Sequence, residues 1–435
     1  MTETIATATT LSAQRLDVVT PAKGYRGSLL TGLAGAAAGL GAAVLLRDWA
    51  EAHWMKTLAA LGVGAVVMVL TDLVVYRSHQ NPTTGLAPLP VRSLDVARVA
   101  HKLVGLWLSI GTLAFAYWLL AVYADPLYDS FKAAALWLLP GLVVASPFYI
   151  AYVDRRQVKP VDAYAQLGML LGGTRPENWN DILFHIRAWL VKGFFLPLMF
   201  AFCNDGLVLF WDRPVPNWND FQAIYAYAFD GLYLFDVYLA AIAYAMTFRL
   251  LDSHLRSAEP TLGGWVVCLI CYQPFVNGVG ASYLKYDADD VYWGNIFSAW
   301  PTLYVIWGSV ILLLITIYVL STASFGLRFS NLTNRGIIST GPYRWVKHPA
   351  YISKNLTWWM ISVPFIAGAG WVTAIQSCLL LLVANLIYFL RAKTEERHLS
   401  ADPDYRAYAA FIAEHGLVAV LRRLFYGRRT ADQAH

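Results

Sequence analysis

The chain has 435 residues, of which 58% are hydrophobic, 14% aromatic and only 14% charged, with a formal net charge of +5. Soluble domains carry about 25% charged and roughly 45–50% apolar residues, so the polar residues here are too few to cover a water-soluble globule and an ordinary soluble enzyme is excluded. Average Gly and Pro usage and four cysteines, all inside apolar runs, also exclude collagen-like, disordered and disulfide-stapled classes.

The segment before residue 28 is polar and has neither an apolar h-region nor a small-residue cleavage site. No cleaved signal peptide is expected, and the first helix serves as the insertion signal. Apolar runs long enough to supply the roughly 20 helical residues that cross about 30 Å of hydrocarbon then recur along the whole chain. They predict an all-α, polytopic integral membrane protein with about ten transmembrane helices, over 28–46, 57–76, 103–123, 133–153, 188–211, 223–248, 263–284, 301–325, 355–369 and 371–390. In the first run Gly32, Gly35, Gly39 and Gly41 include small-xxx-small spacing, which lets helices approach closely in lipid. In the seventh, Cys268 and Cys271 have CxxC spacing but no further metal ligands nearby, so they read as small hydrophobes. The last two runs abut at Gly370 and predict a tight helical hairpin.

Lys and Arg placement orients these spans. Cations crowd the N-terminal segment, the C-terminal tail and alternate loops, represented by Arg77, Arg98, Arg155, Arg156, Arg256, Arg328, Arg344 and Lys347. The intervening loops hold only Arg47, Lys56, Lys132, Arg213 and Lys285. By the positive-inside rule both termini are expected in the cytoplasm, and the loop with Asp287, Asp289 and Asp290 on the far side. Residue usage is compatible with a bacterial inner-membrane protein. The chain divides into a cytoplasmic segment (1–27), a transmembrane region of unassigned role (28–300), a region rich in chemistry (301–412) and a tail (413–435). The tail fits an interfacial helix with Leu421, Leu424 and Phe425 beside Arg422 and Arg423, or equally a segment packed on the 154–181 loop.

Polar residues within spans are functional candidates by default, because lipid disfavours them. Asp72, Asp230, Asp236, Gln273, Asn277 and Asn385 qualify, with a hydrogen bond between helices the commoner role for each taken alone. Asp230 and Asp236 lie about 240° apart around a helix and do not form a paired acid–base face. The densest chemistry lies in two C-terminal segments, FSNLTNRGIISTGPYRWVKHPAYISKN (329–355) and RAKTEERHLSADPDYRAY (391–408). Gly341 and Pro342 set a turn, and Pro349 can open a helix whose N-terminal amides, beside Arg344, Lys347 and His348, suit an anion. If the last two helices form a hairpin, these cations meet Glu395 and Glu396 at a lipid–water boundary. Arg391 with Glu395 could equally be a surface pair worth about 0.3–0.5 kcal/mol, and the positive loop a topogenic signal against anionic headgroups.

Together the two segments resemble the signature of the isoprenylcysteine carboxyl methyltransferase and phospholipid N-methyltransferase superfamily. Its first half is represented by Gly341, Pro342, Tyr343, Arg344, Lys347, His348, Pro349 and Tyr351, and its second by Glu395 and Glu396 with Tyr405 and Tyr408 in the tail. Lys347 departs from the usual arginine and lacks a guanidinium's bidentate grip. The resemblance covers roughly residues 320–412 and leaves the first seven helices without a counterpart. It implies a membrane-embedded methyltransferase that uses S-adenosylmethionine at a cytoplasmic cofactor site. Tyr343, Arg344, His348, Pro349, Tyr351 and Glu395 would bind the cofactor, and Arg391 and Glu396 would act at the reacting centre, with no metal required. The acceptor it implies is a membrane lipid or lipophilic small molecule entering laterally, with O-, N- and S-methylation all open. No nucleic-acid partner is expected, and oligomeric state is undetermined. Two other readings stay open at this level: an NADPH-dependent sterol-type reductase, and a non-catalytic lipid transporter or binding protein.

Overall fold

Every predicted apolar run contains helix in the computed structural model, but the runs are not equivalent. The structure describes residues 28–286, 292–366, 368 and 370–426. Among these, seven helices are long and apolar enough to cross a bilayer. They are α2 (His53–Leu70, prolonged by a wider turn to Val75), α3 (Val96–Leu119), α4 (Asp129–Asp154), α6 (Trp179–Asp212), α7 (Phe221–Ala245), α11 (Pro301–Phe325) and α13 (Trp371–Leu399). Short α5 (Ala163–Leu171) precedes α6, and α10 (Trp293–Phe297) precedes α11. Leu136, Trp137, Val144 and Phe148 on α4 are exposed, as lipid-facing side chains would be.

Three of the ten predicted spans fall short. α1 (Ser28–Leu45) has 18 residues. The 263–284 run is two pieces, α8 (Leu262–Leu269) and α9 (Phe275–Tyr283), because Pro274 has no N–H to continue the helical ladder and clashes with the preceding turn. The 355–369 run is the 14-residue α12 (Pro349–Ser362), which opens on its N1 proline and ends at Val363, in the left-handed region just before Pro364. At 1.5 Å per residue it spans about 21 Å, less than the hydrocarbon core. The predicted acidic loop at 287–290 lies outside the described residues.

Small residues set the packing of α1. A Cβ on Gly32 would stand 2.4 Å from the carbonyl oxygen of Ala323 on α11, and one on Gly39 would overlap the Tyr238 hydroxyl of α7. That hydroxyl donates to Ala60 O of α2 at 2.7 Å, so three helices close on one buried point. The in-span carboxylates mostly serve packing. Asp72 accepts from Thr31 and Ser78 and pairs with Arg328, while Asp230 pairs with Arg213 at 2.5 Å.

The turns at one end of the bundle are tied into a single layer. Ala87 N donates to Arg156 O, Thr83 to Asp252, Arg256 N to Asn334 O and Asn334 to Asp402. β1 (Ser257–Ala258) and β2 (Thr333–Asn334) pair antiparallel within it. Arg98 and Lys102 both grip Asp154, at 2.6 and 2.9 Å. α14 (Pro403–His415) and the amphipathic α15 (Leu417–Tyr426) complete this end. On α15 the apolar side chains of Val418, Leu424 and Phe425 are exposed.

Candidate active site

The loop after α11 is shaped by a few fixed points. Gly341 adopts a positive φ of 61°, and a Cβ there would meet the Ser324 hydroxyl at 2.3 Å. Buried Arg335 donates to the carbonyl oxygens of Ser253, Ala243, Phe329 and Met246 at 2.7–3.0 Å, fastening the loop to the end of α7. Burial pushes its pKa down to about 9, still above neutral pH, so it remains a cation. Tyr408 of α14 donates to Tyr343 O at 2.8 Å and, with Tyr405, Ile337 and Ile412, clamps the turn from outside. Burial also pushes the Tyr343 phenol far above its ordinary value, so it stays neutral.

α12 and α13 then return the two sequence segments to one place. Asn385 accepts from Trp359 at 2.7 Å and donates to Asn355 at 2.6 Å, locking the hairpin. Tyr351 donates to Glu395 Oε2 at 2.8 Å, and the His348 ring stacks on Tyr351 with centroids 5.4 Å apart. His348 Nε2 lies 3.1 Å from Glu396 Oε1, which Lys347 also reaches at 2.8 Å, while Lys393 reaches Oε2 at 3.1 Å. Tyr388, Arg391 and Glu395 are spaced i, i+3, i+7 and share a face of α13.

Arg391 is not half of a surface pair. It is buried, donates to Asn331 Oδ1 at 2.5 Å and to the Tyr272 hydroxyl at 3.2 Å, and lies 5.1–5.7 Å from the ring centroids of Tyr272, Tyr351 and Tyr388. Asn331 in turn donates to Tyr244. Tyr272 comes from the break between α8 and α9, so the interruption of that span has a use at the site.

Two cavities meet at Ser330, Asn331, Tyr351, Arg391 and Glu395. One, of about 420 Å³, is more polar and adds Glu259, Thr333, Thr394 and His398. The other, of about 620 Å³, adds Tyr272, Tyr318, Phe325, Phe329, Tyr343, His348, Lys354 and Tyr388. Of the residues expected here, Tyr343, His348, Tyr351, Arg391 and Glu395 line a cavity, and Pro349 is the buried first residue of α12. Arg344 is exposed and lines neither, and Glu396 lines neither because Lys347, His348 and Lys393 occupy it. Tyr272, Asn331, Tyr388, Glu259 and His398 are cavity residues that sequence reasoning did not single out. Only Tyr388 had a local signal, three positions before Arg391 on a helical face.

The fold and the apposed segments define a class: an all-α membrane protein whose C-terminal hairpin closes a cavity with paired His–Pro and Glu–Glu elements. Residues 302–401 match the model of the isoprenylcysteine carboxyl methyltransferase (ICMT) family, so the resemblance read from the sequence holds over this region. The match favours neither the reductase nor the transporter reading. No curated protein and no solved structure matches the chain.

Proposed function

We propose that the chain transfers a methyl group from S-adenosylmethionine to a lipophilic acceptor at the cytoplasmic membrane face. The observation that carries this reading is the contact of the two motif halves, Tyr351 on Glu395 at 2.8 Å and His348 beside Glu396 at 3.1 Å, over the cavities of a region matching the ICMT family. The residues fit the donor. Glu395 offers a carboxylate to an ammonium, His348 and the loop amides suit a carboxylate, and Tyr343 and Tyr351 present aromatic faces to a sulfonium. S-adenosylmethionine, when bound, supplies an electrophilic methyl group on a cationic sulfur.

The chain's own residues bind, orient and exclude water. Arg391 is held by Asn331 and three tyrosine rings, so it is fixed before any ligand arrives and can position the acceptor's head group. Glu396 acts through His348, whose ring it holds against Tyr351. The concentration of Arg and Lys in the turns at this end supports a cytoplasmic placement, and the lipid-exposed helices support lateral entry of the acceptor.

Titration of the purified chain with S-adenosylmethionine and with NADPH tests the reading. Saturable binding of the first, weakened by Glu395→Ala and His348→Ala, is expected. Binding of NADPH alone, or donor binding indifferent to both variants, overturns it.

A further inference from the structure

The tail, expected either at an interface or against the 154–181 loop, contains α15, and the methyl-transfer reading uses no part of that helix. At about 100° per residue, Leu417, Val418, Val420, Leu421, Leu424 and Phe425 fall within an arc of about 160°. Arg422 and Arg423 stand one on each side of that arc. All six apolar side chains are exposed, Leu424 at 73% and Phe425 at 79%. Among the described residues, two hydrogen bonds tie α15 to the turn and helix before it: Leu417 N donates to Trp345 O at 2.8 Å, and Arg423 donates to Glu414 O. Neither reaches residues 154–181.

A helix of ten residues tied to the rest of the chain at two points is marginal in water, and this one turns a broad apolar arc outward. The leaflet beside the bundle answers both needs. Its acyl boundary takes the apolar arc, and anionic phosphates take the flanking guanidiniums. The neighbouring turn offers the same pairing: Arg344 and Trp345 are both exposed, and indoles favour the headgroup level. The junction with that turn is tight. A Cβ on Gly416 would stand 2.9 Å from Trp345 O, and Tyr408 of α14 donates to Tyr343 O. Whatever holds α15 therefore also bears on the turn that brings Tyr343 and His348 to the larger cavity.

We propose that α15 is a docking surface for anionic lipid headgroups, with its apolar arc in the acyl boundary and Arg422 and Arg423 at the phosphates, and that this contact steadies the 341–348 turn. The proposal goes beyond the methyl-transfer reading and holds whichever reaction the cavities serve.

The test follows amide hydrogen exchange in the full chain, reconstituted in nanodiscs of phosphatidylcholine alone or mixed with phosphatidylglycerol. Exchange over 417–426 and over 341–348 should be at least about tenfold slower in the anionic discs, as two arginines at a charged surface imply, and high salt should erase the difference. Arg422→Glu with Arg423→Glu should remove the lipid dependence while exchange in α6 stays unchanged, and Arg422→Lys with Arg423→Lys should retain it. Leu424→Ser with Phe425→Ser should speed exchange over 417–426 in both kinds of disc. Equal exchange in the two discs, or a lipid dependence unmoved by the glutamate pair, overturns the proposal. So does protection in neutral discs that rises with protein concentration, the mark of a second copy, or that soluble polyglutamate reproduces, the mark of an acidic protein partner. Slower exchange confined to 417–426 would overturn the link to the turn.

Discussion

The two regions that meet at the cavities contribute by different means. The region from α11 onward brings its reactive groups on adjacent turns of a hairpin, where helical spacing alone places Tyr388, Arg391 and Glu395 on one face. The preceding region brings single residues from distant elements: Glu259 from the β1 turn and Tyr272 from the gap between α8 and α9 line the cavities, and Asp236 from mid-α7 accepts from the Tyr318 hydroxyl behind their wall. A short-range motif can thus specify the chemistry while the walls depend on how a much larger helical assembly closes around it. The comparison predicts that substitutions in the hairpin abolish function and those in the walls adjust it.

The largest effect is expected from Arg391→Ala. It removes a buried cation from three rings and leaves Asn331 Oδ1 without its donor, a loss of about 3 kcal/mol, or roughly a hundredfold in methyl transfer measured with labelled donor. Activity within twofold of the parent would show that Arg391 is only a packing element. Glu395→Gln keeps the shape and removes the charge, so donor affinity should fall about tenfold while the fold, followed by thermal unfolding in micelles, stays intact. An unchanged dissociation constant would place the donor's ammonium elsewhere.

Much of the hairpin was legible because its signals are local. Pro349 marked the start of α12, and the Glu–Glu pair lay a hairpin's length from His348. The three short or broken spans were readable only in part. Pro274 and the Val363–Pro364 step stand in the sequence, yet an apolar average runs straight across both. Tyr272, Asn331 and Glu259 had no such trace, since each reaches the site through long-range contacts such as Asn331 on Tyr244 and β1 on β2. The direction of Arg344 was illegible for the opposite reason: charge in a motif says nothing of orientation, and in the turn beginning at Gly341 this side chain is exposed and lines neither cavity.

Tests of the walls come next in size. Gly32→Val drives a side chain into the Ala323 carbonyl and should destabilise the protein by about 1–3 kcal/mol, lowering its unfolding temperature without changing donor affinity in the folded fraction. Tyr272→Phe deletes one hydroxyl contact to Arg391 and should lower transfer about fivefold, close to 1 kcal/mol. If Tyr272→Phe instead matches Arg391→Ala, the division between hairpin and walls is wrong, because a wall residue would then be as decisive as a motif residue.

The joint between the regions supplies a last test, through pH. His254 sits in the turn after α7, on the same stretch that Arg335 fastens from the other region. Burial, reinforced by Arg249, Arg256, Arg335 and Arg328, pushes its pKa down to about 3, so the folded protein holds it neutral. The unfolded chain takes up that proton near pH 6.5, which makes folding stability highest above that value and progressively smaller as pH falls toward 3. Between pH 7 and pH 5.5 the loss attributable to this group is about 1 kcal/mol. His254→Gln removes the titration, so the variant should lose less stability than the parent over that interval when unfolding temperatures are compared in the same micelles. Parallel pH profiles would mean that the joint tolerates the extra proton and that the arginines around His254 are better screened than their burial implies.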